Sequence, residues 1–308
     1  MPKVSVIIPT HNRAEFLYSA ITSVLDQTYQ DVEIIVVDDA SEDNTRRVID
    51  HFHDNRIKYF CHEKNKGEAG ARNTGILNSK GEFIAFLDDD DEWLPEKLSL
   101  QVSLLDNNPK KFGLVYTGYF VIDKNSKNIL SQRVPSKKGD VYNYIILKNI
   151  IGAPSTVLLR RECIEEVGLF DENIAYGLDH DMWIRISKYF FFEYVKESLV
   201  KYYIHHDRLS NNPVIRARGL DDMVKKYGKH IVLKNTYYRQ SLLSIGVQFC
   251  HLGDMKNGIK LLIRAIRANS FELRNYFYLG CALFGARNFR RFVKFKDRLL
   301  APLRNNKT

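Results

Sequence analysis

The chain has 308 residues, 44% hydrophobic and 27% charged, an ordinary globular composition. That length suits one large domain, or one domain with an annex. No apolar run reaches the roughly 18 residues a membrane-spanning helix requires, and Met1-Pro2-Lys3 leads straight into a strand pattern rather than a signal peptide. Cys61, Cys163, Cys250 and Cys281 match no metal spacing, so reduced thiols of a cytoplasmic protein are expected. The net charge of +9 hides a division: residues 210–308 carry 20 Lys/Arg against 5 Asp/Glu, a net of +15, while residues 1–209 are acidic.

Val4–Pro9 reads as a first strand, followed by Leu17, Ile21, Val24 and Leu25 at helical spacing. Val32–Val37 is a second strand. N-cap candidates between Asp38 and Thr45 precede a helix through Val48, Ile49 and Phe52. Ile57–Phe60 is a short third strand, Asn65–Asn73 opens a helix to about Ser79, and Phe83–Leu87 is a fourth strand. Leu94-Pro95 begins a further helix, with proline in its first turn. Alternating strands and helices predict an α/β domain, with a mostly parallel sheet covered by helices on both faces. Leu114–Ile122 and Ile129–Arg133 read as a hairpin, Ser155–Leu159 as a strand and Asp179–Tyr189 as a helix. Phe191–Val195 and Leu199–Ile204 read as two final strands. After Pro213 only helical patterns remain. The expected division is therefore 1–210 as the α/β domain, split into 1–110 and 111–210, and 211–308 as a basic C-terminal helical annex.

Two aspartate clusters end two apolar runs: Asp38-Asp39, and Asp88-Asp89-Asp90-Asp91 before Glu92-Trp93. Adjacent carboxylates repel one another, and a bound divalent cation is a natural reason to tolerate them. Ligands of open α/β sheets gather at the carboxyl ends of strands. A calcium EF-hand fails, because the sixth position from Asp88 is Trp93 where that loop needs glycine.

Taken together, Pro9-Thr10-His11-Asn12-Arg13, Val37-Asp38-Asp39-Ala40-Ser41, Gly70-Ala71-Arg72-Asn73 and Phe86-Leu87-Asp88-Asp89-Asp90-Asp91-Glu92-Trp93 resemble an inverting family 2 glycosyltransferase of GT-A fold, of the bacterial surface-polysaccharide type. The resemblance covers about residues 1–210. It implies transfer of one sugar from a nucleotide-diphospho-sugar, UDP-linked, to a glycan or lipid-linked acceptor. It further implies a nucleotide pocket lined by Pro9, Thr10, His11, Asn12, Arg13, Asp39, Gly70, Arg72, Asp88 and Asp89. Asp39 takes the uracil edge, and Arg13 and Arg72 are phosphate partners. Asp90 and Asp88 hold Mn²⁺ or Mg²⁺, with His205 as a further candidate, although Tyr203 stands where the family often has arginine. The segment Gly177-Leu178-Asp179-His180-Asp181-Met182-Trp183 resembles the family's acidic pair before a helix. It makes Asp179 the base, with Asp181 as the alternative. Trp93 and Trp183 are candidate walls of the sugar pocket.

The processive synthases of this family carry Gln-x-x-Arg-Trp, which this chain lacks, so single-residue transfer is expected. A sugar-1-phosphate nucleotidyltransferase would need a glycine-rich loop after the first strand, and Pro9–Arg13 has no glycine. A non-enzymatic basic module binding nucleic acid or membrane is the other alternative. The tail around 286–300 interleaves aromatics and cations, with Phe289, Phe292, Phe295 and Leu299 near one helical face. That is the profile of an interfacial helix on anionic lipid, which places the protein at the inner face of the cell membrane. No nucleic-acid partner is expected, and a homo-oligomer is compatible with the sequence.

Overall fold

The computed structural model of the chain describes residues 1–205, 212–228 and 235–304. They belong to two compact units, Met1–Arg208 and Leu209–Thr308.

In the first unit, β1 (Val4–Thr10), β2 (Val32–Asp38), β3 (Ile57–Cys61) and β4 (Phe83–Phe86) pair in parallel, in the order β3-β2-β1-β4. β1, β2 and β4 are almost wholly buried because both sheet faces are covered, which is why they read as continuous apolar runs. Alternate residues serve different layers. Val4, Val6 and Ile8 join Leu17, Ala20, Ile21 and Val24 of α1 (Ala14–Leu25) in one core. On the other face Ile35 and Val37 pack with Ala71 of α3 (Gly67–Leu77). The short α2 (Thr45–Asp50) lies between β2 and β3 in the chain. α3 lies close to the sheet through Gly75, where an added Cβ would come within 2.4 Å of Ile7 Cγ2.

The chain then runs through β5 (Asp91–Trp93), α4 (Lys97–Asn107), β6 (Phe112–Asp123), β7 (Ile129–Arg133), α5 (Tyr142–Ile145), a 3-10 turn at Pro154–Thr156, β8 (Val157–Arg160), α6 (Arg161–Val167), α7 (Leu178–Ile186) and β9 (Phe191–Ile204). The sheet continues β4-β8-β6-β9-β5, with β7 on β6. β8 is antiparallel to both β4 and β6, β6 and β9 are parallel, and β5 is antiparallel to β9. This is the mixed, mostly parallel sheet with helices on both faces that the sequence predicts.

Several details differ from the sequence reading. The two final strands are one, β9. Its partners on β6 step from Val195 to Ser198, so exposed Lys196 and Glu197 form a bulge, not a break. Asp91–Trp93 is a strand as well as an acidic motif, because it pairs with the end of β9. Leu94-Pro95 precedes α4, which starts only at Lys97.

The second unit is helical: α8 (Pro213–Tyr227), α9 (Thr236–Leu252), α10 (Met255–Ala268), α11 (Leu273–Leu283) and α12 (Gly285–Arg304). Leu242, Ile245, Phe249 and Leu261 form one core, and Cys250, Leu262, Cys281 and Phe289 another. Phe289 is therefore not on the outward face of α12, contrary to the sequence reading. It and Val293 turn inward, while Phe292 and Phe295 are exposed. The side chain of Leu299 lies outside the described residues. Among the described residues no helix is long and apolar enough to cross a membrane.

Candidate active site

The carboxyl ends of β1, β2 and β4 converge, and the sequence-predicted residues gather there. The Asp39 N–H donates to Thr10 O at 2.9 Å, tying the ends of β1 and β2. The Asp39 carboxylate is already engaged. It accepts from the N–H groups of Lys66 (2.7 Å) and Gly67 (2.8 Å) at the start of α3, and it bonds His62 Nδ1 at 2.7 Å. Gly67 has φ +79°, so glycine suits that turn. Gly70 lies one turn further along α3. Asp38, next to Asp39 in the chain, accepts from Ser41 N and from Tyr59 Oη. Asn12, at φ +53°, bridges this loop to the first: its N–H donates to Ser41 Oγ, its Oδ1 accepts from Glu42 N, and its Nδ2 lies 3.2 Å from His11 Nε2. Pro9 stays in β1, paired in register with Val37.

The second cluster forms a tight turn, the Asp91 N–H donating to Asp88 O at 3.0 Å. One ligand-capable oxygen from each of Asp88, Asp90 and Asp91 lies within 4.8 Å of the others. Three carboxylates at this spacing form the hard-oxygen donor set that Mg²⁺ or Mn²⁺ prefers, so the residues fit such an ion. Asp91 is a member that the sequence reading left out. Asp89 points to Arg13 instead, at 3.0 Å, and burial pushes its carboxyl up to about 7 although Arg13 pulls the other way. Arg13 also reaches Asp90 at 3.3 Å. His205 arrives because β5 pairs with the end of β9. One residue past that strand, its Nε2 lies 2.9 Å from Asp90 Oδ2 and its ring stacks on Phe16.

Arg72 joins the two halves of the site. It is fully buried, and its Nη2 donates to Asp88 at 2.6 Å and forms an ion pair with Glu68 at 2.7 Å. Burial works against its charge, but Glu68, Asp88 and Asp179 outweigh it and hold the guanidinium ionised. Its Nε and Nη1 have no hydrogen-bond partner among the described residues. Sequence reasoning missed Glu68, although it stands four residues before Arg72 on one helix, the spacing of a helical ion pair. The Glu68 carboxyl is raised by burial.

Asp179 lies in the first turn of α7, entered through Gly177 at φ +82°. Burial raises its carboxyl, opposed mainly by Arg72 and assisted by Asp88, so it shares one field with the acidic cluster about ninety residues earlier in the chain. Asn149 Nδ2 lies 3.4 Å from its Oδ2. Asp181, the alternative base, is fully buried in an ion pair with Arg185 at 3.0 Å, and Arg185 also donates to carbonyls of Val167 and Leu169. It holds α7 to the preceding loop.

Neither tryptophan is a pocket wall. Trp183 is fully buried against Phe86 and Phe170. Trp93 belongs to the main core, its indole N–H donating to Ser155 O at 2.8 Å. Apolar burial outweighs exposure for rings this large, so both went inside.

A mixed sheet whose β1 and β2 end in the hydrogen-bonded loops around Asn12 and Asp39, with an acidic turn after β4, has the architecture of a GT-A glycosyltransferase. Residues 5–168 match the family model "Glycosyl transferase family 2", and the chain belongs to that family. It is 33% identical over 262 residues to the Escherichia coli UDP-Glc:alpha-D-GlcNAc-diphosphoundecaprenol beta-1,3-glucosyltransferase WfgD, covering 83% of this chain and 98% of that one. It is 31% identical over 214 residues to the putative teichuronic acid biosynthesis glycosyltransferase TuaG of Bacillus subtilis, covering 68% and 82%. Among solved structures, S. aureus TarS 1-349 in complex with UDP-GlcNAc superposes with a TM-score of 0.61 at 17% identity, covering 94% of this chain and 89% of that one. The mannosyltransferase PcManGT of Pyrobaculum calidifontis, in complex with GDP-Man and Mn²⁺, gives 0.55 at 21% identity, covering 99% and 87%.

Proposed function

We propose that the protein is a metal-dependent, inverting, non-processive glycosyltransferase. It moves one sugar from a UDP-sugar to a hydroxyl of a lipid-linked or glycan acceptor in bacterial polysaccharide biosynthesis. The observation that carries this reading is Arg72, whose guanidinium lies in the fields of both Asp88 and Asp179, which supports taking the proposed cation ligands and the proposed base as parts of one site. The relatives' names support the donor and acceptor classes: WfgD is a UDP-Glc transferase acting on a diphosphoundecaprenol acceptor.

Asp39, with Thr10 and Asn12, takes the nucleotide base. Its carboxylate keeps acceptor capacity beyond the three bonds it makes, since two oxygens offer about four lone-pair sites. Buried Arg72, held ionised, supplies positive charge to the donor diphosphate through its field. Asp88, Asp90 and Asp91, with His205 beside them, hold Mn²⁺ or Mg²⁺. When bound, the ion stabilises charge on the departing diphosphate. Asp179 accepts the proton of the acceptor hydroxyl as its oxygen attacks the anomeric carbon, on the face opposite the leaving group. Its raised carboxyl suits a base that works near neutrality. Phe292 and Phe295, exposed on the basic α12, bring residues 286–300 to an anionic membrane where a lipid-linked acceptor resides.

A panel of UDP-, GDP- and dTDP-sugars, each with and without Mn²⁺, tests the reading by thermal shift. A Mn²⁺-dependent rise is expected for a UDP-sugar in the wild type and none in Asp90→Ala, which also loses turnover. Full turnover in Asp90→Ala removes the metal-dependent mechanism.

A further inference from the structure

We infer that Ser155 is the positioning residue of the cation site, and that it works by fixing Asp91 as the third carboxylate. The inference rests on the metal-dependent reading of the acidic cluster.

Ser155 lies in the 3-10 turn that leads into β8, more than sixty residues along the chain from the acidic motif, and it is fully buried. Its hydroxyl donates to Asp91 Oδ2 at 2.7 Å and accepts from the Asp88 N–H at 3.1 Å. Its carbonyl accepts the indole N–H of Trp93 at 2.8 Å. One residue therefore grips the acidic segment at three points: the backbone at its start, the carboxylate near its end, and the ring just beyond. β8 pairs with β4, the strand that feeds the cluster, so the anchor is part of the same rigid sheet.

The chemistry calls for such an anchor. Asp88, Asp90 and Asp91 repel one another when ionised. Two of the three carboxylates are drawn sideways by cations, Asp88 by Arg72 and Asp90 by Arg13. Asp91 is turned inward and fully buried, and the Ser155 hydroxyl holds its Oδ2. The Ser155 hydroxyl is a neutral donor: it fixes the orientation of Asp91 without neutralising it. Hydrogen-bond partners behind ligating groups typically set metal affinity by about ten- to a hundredfold.

The test titrates the full-length protein with Mn²⁺ alone, following free Mn²⁺ by electron paramagnetic resonance and the thermal midpoint with and without the ion. Ser155→Ala is expected to weaken Mn²⁺ binding by about tenfold or more and to shrink the Mn²⁺-induced rise in midpoint. Ser155→Thr, which keeps the hydroxyl, is expected to bind Mn²⁺ more tightly than Ser155→Ala. Asp91→Asn probes the same contact from the other side and is expected to lose Mn²⁺ affinity as well, which decides the matter if Ser155→Ala does not fold. A merely structural serine would lower the midpoint equally with and without Mn²⁺ and leave the affinity unchanged; that result, or unchanged affinity in Asp91→Asn, overturns the inference. A wild type that binds no Mn²⁺ overturns the metal reading and this inference together. A wild type that binds while the variants match it overturns this inference alone.

Discussion

Gly75→Ala isolates how closely α3 must approach the sheet to serve the site. In a free helix this change stabilises by about 0.5–1 kcal/mol, because alanine loses less backbone entropy. Here the new methyl would stand 2.4 Å from Ile7 Cγ2, 3.2 Å from Cγ1 and 3.3 Å from Cβ. Ordinary contact needs about 3.5–4.0 Å, so α3 or β1 must give by roughly 1 Å. Ile7 cannot yield: it is fully buried and hydrogen-bonded in register between Ile35 of β2 and Phe86 of β4. Overpacking of this kind costs about 1–3 kcal/mol, which exceeds the propensity gain, and a net loss of about 1–2 kcal/mol follows. The helix that moves carries Arg72, and its first N–H groups hold Asp39, so nucleotide affinity should fall together with stability. Guanidinium unfolding measures the first and nucleotide titration the second. Ile7→Ala alone removes a buried branched side chain at about 2–5 kcal/mol. Combined with Gly75→Ala it should cost less than the sum, with a coupling of about 1 kcal/mol. A neutral or stabilising Gly75→Ala, or strict additivity in the pair, refutes the argument.

Asp179→Asn should lower turnover by about 10²–10⁴-fold while leaving UDP-sugar binding intact; unchanged turnover in a steady-state assay reassigns the base. Burial raises the Asp179 carboxyl, so its ionisation weighs against the folded state as pH rises through the raised value. The asparagine variant should therefore be at least as stable as wild type at neutral pH, with the advantage fading in acid, as denaturation across pH would show. The same shift places the acid limb of the wild-type rate profile above the usual carboxylate range. Trp183→Phe should reduce stability by about 1–3 kcal/mol without changing the acceptor KM; a raised KM with unchanged stability would return the indole to the sugar pocket.

Most of the parallel half was legible because its physics is local. Val32–Val37 and Phe83–Leu87 are buried on both faces, so they announce themselves as unbroken apolar runs, and the loops that follow carry the polar residues of the site. What was not legible depends on pairing between distant segments. Lys196-Glu197 looks like a strand end until β6 is seen to accommodate it as a bulge. Asp91–Trp93 is too short to read as a strand and exists as one through β9 alone. Ser155 sent no signal, because a serine between Pro154 and Thr156 has nothing to mark it until the fold sets it behind Asp91. The tryptophans misled in the opposite sense: proximity in sequence to acidic motifs suggested a ligand wall, but ring area drove both into the core.

Arg72 has a consequence for the order of events. Around it stand Glu68, Asp88 and Asp179, with Asp90 and Asp91 beyond, and among the described residues Arg72 pairs with Glu68 and Asp88 while Arg13 reaches Asp89 and Asp90. Among the described residues the carboxylates outnumber the guanidinium groups at this site, a balance that repels a nucleotide diphosphate and draws cations inward. Under the proposed chemistry the divalent ion and the donor cannot arrive independently. The donor's on-rate is governed by how often the carboxylates are already neutralised, and rising salt, which screens that repulsion, should slow cation capture and ease nucleotide entry at the same time.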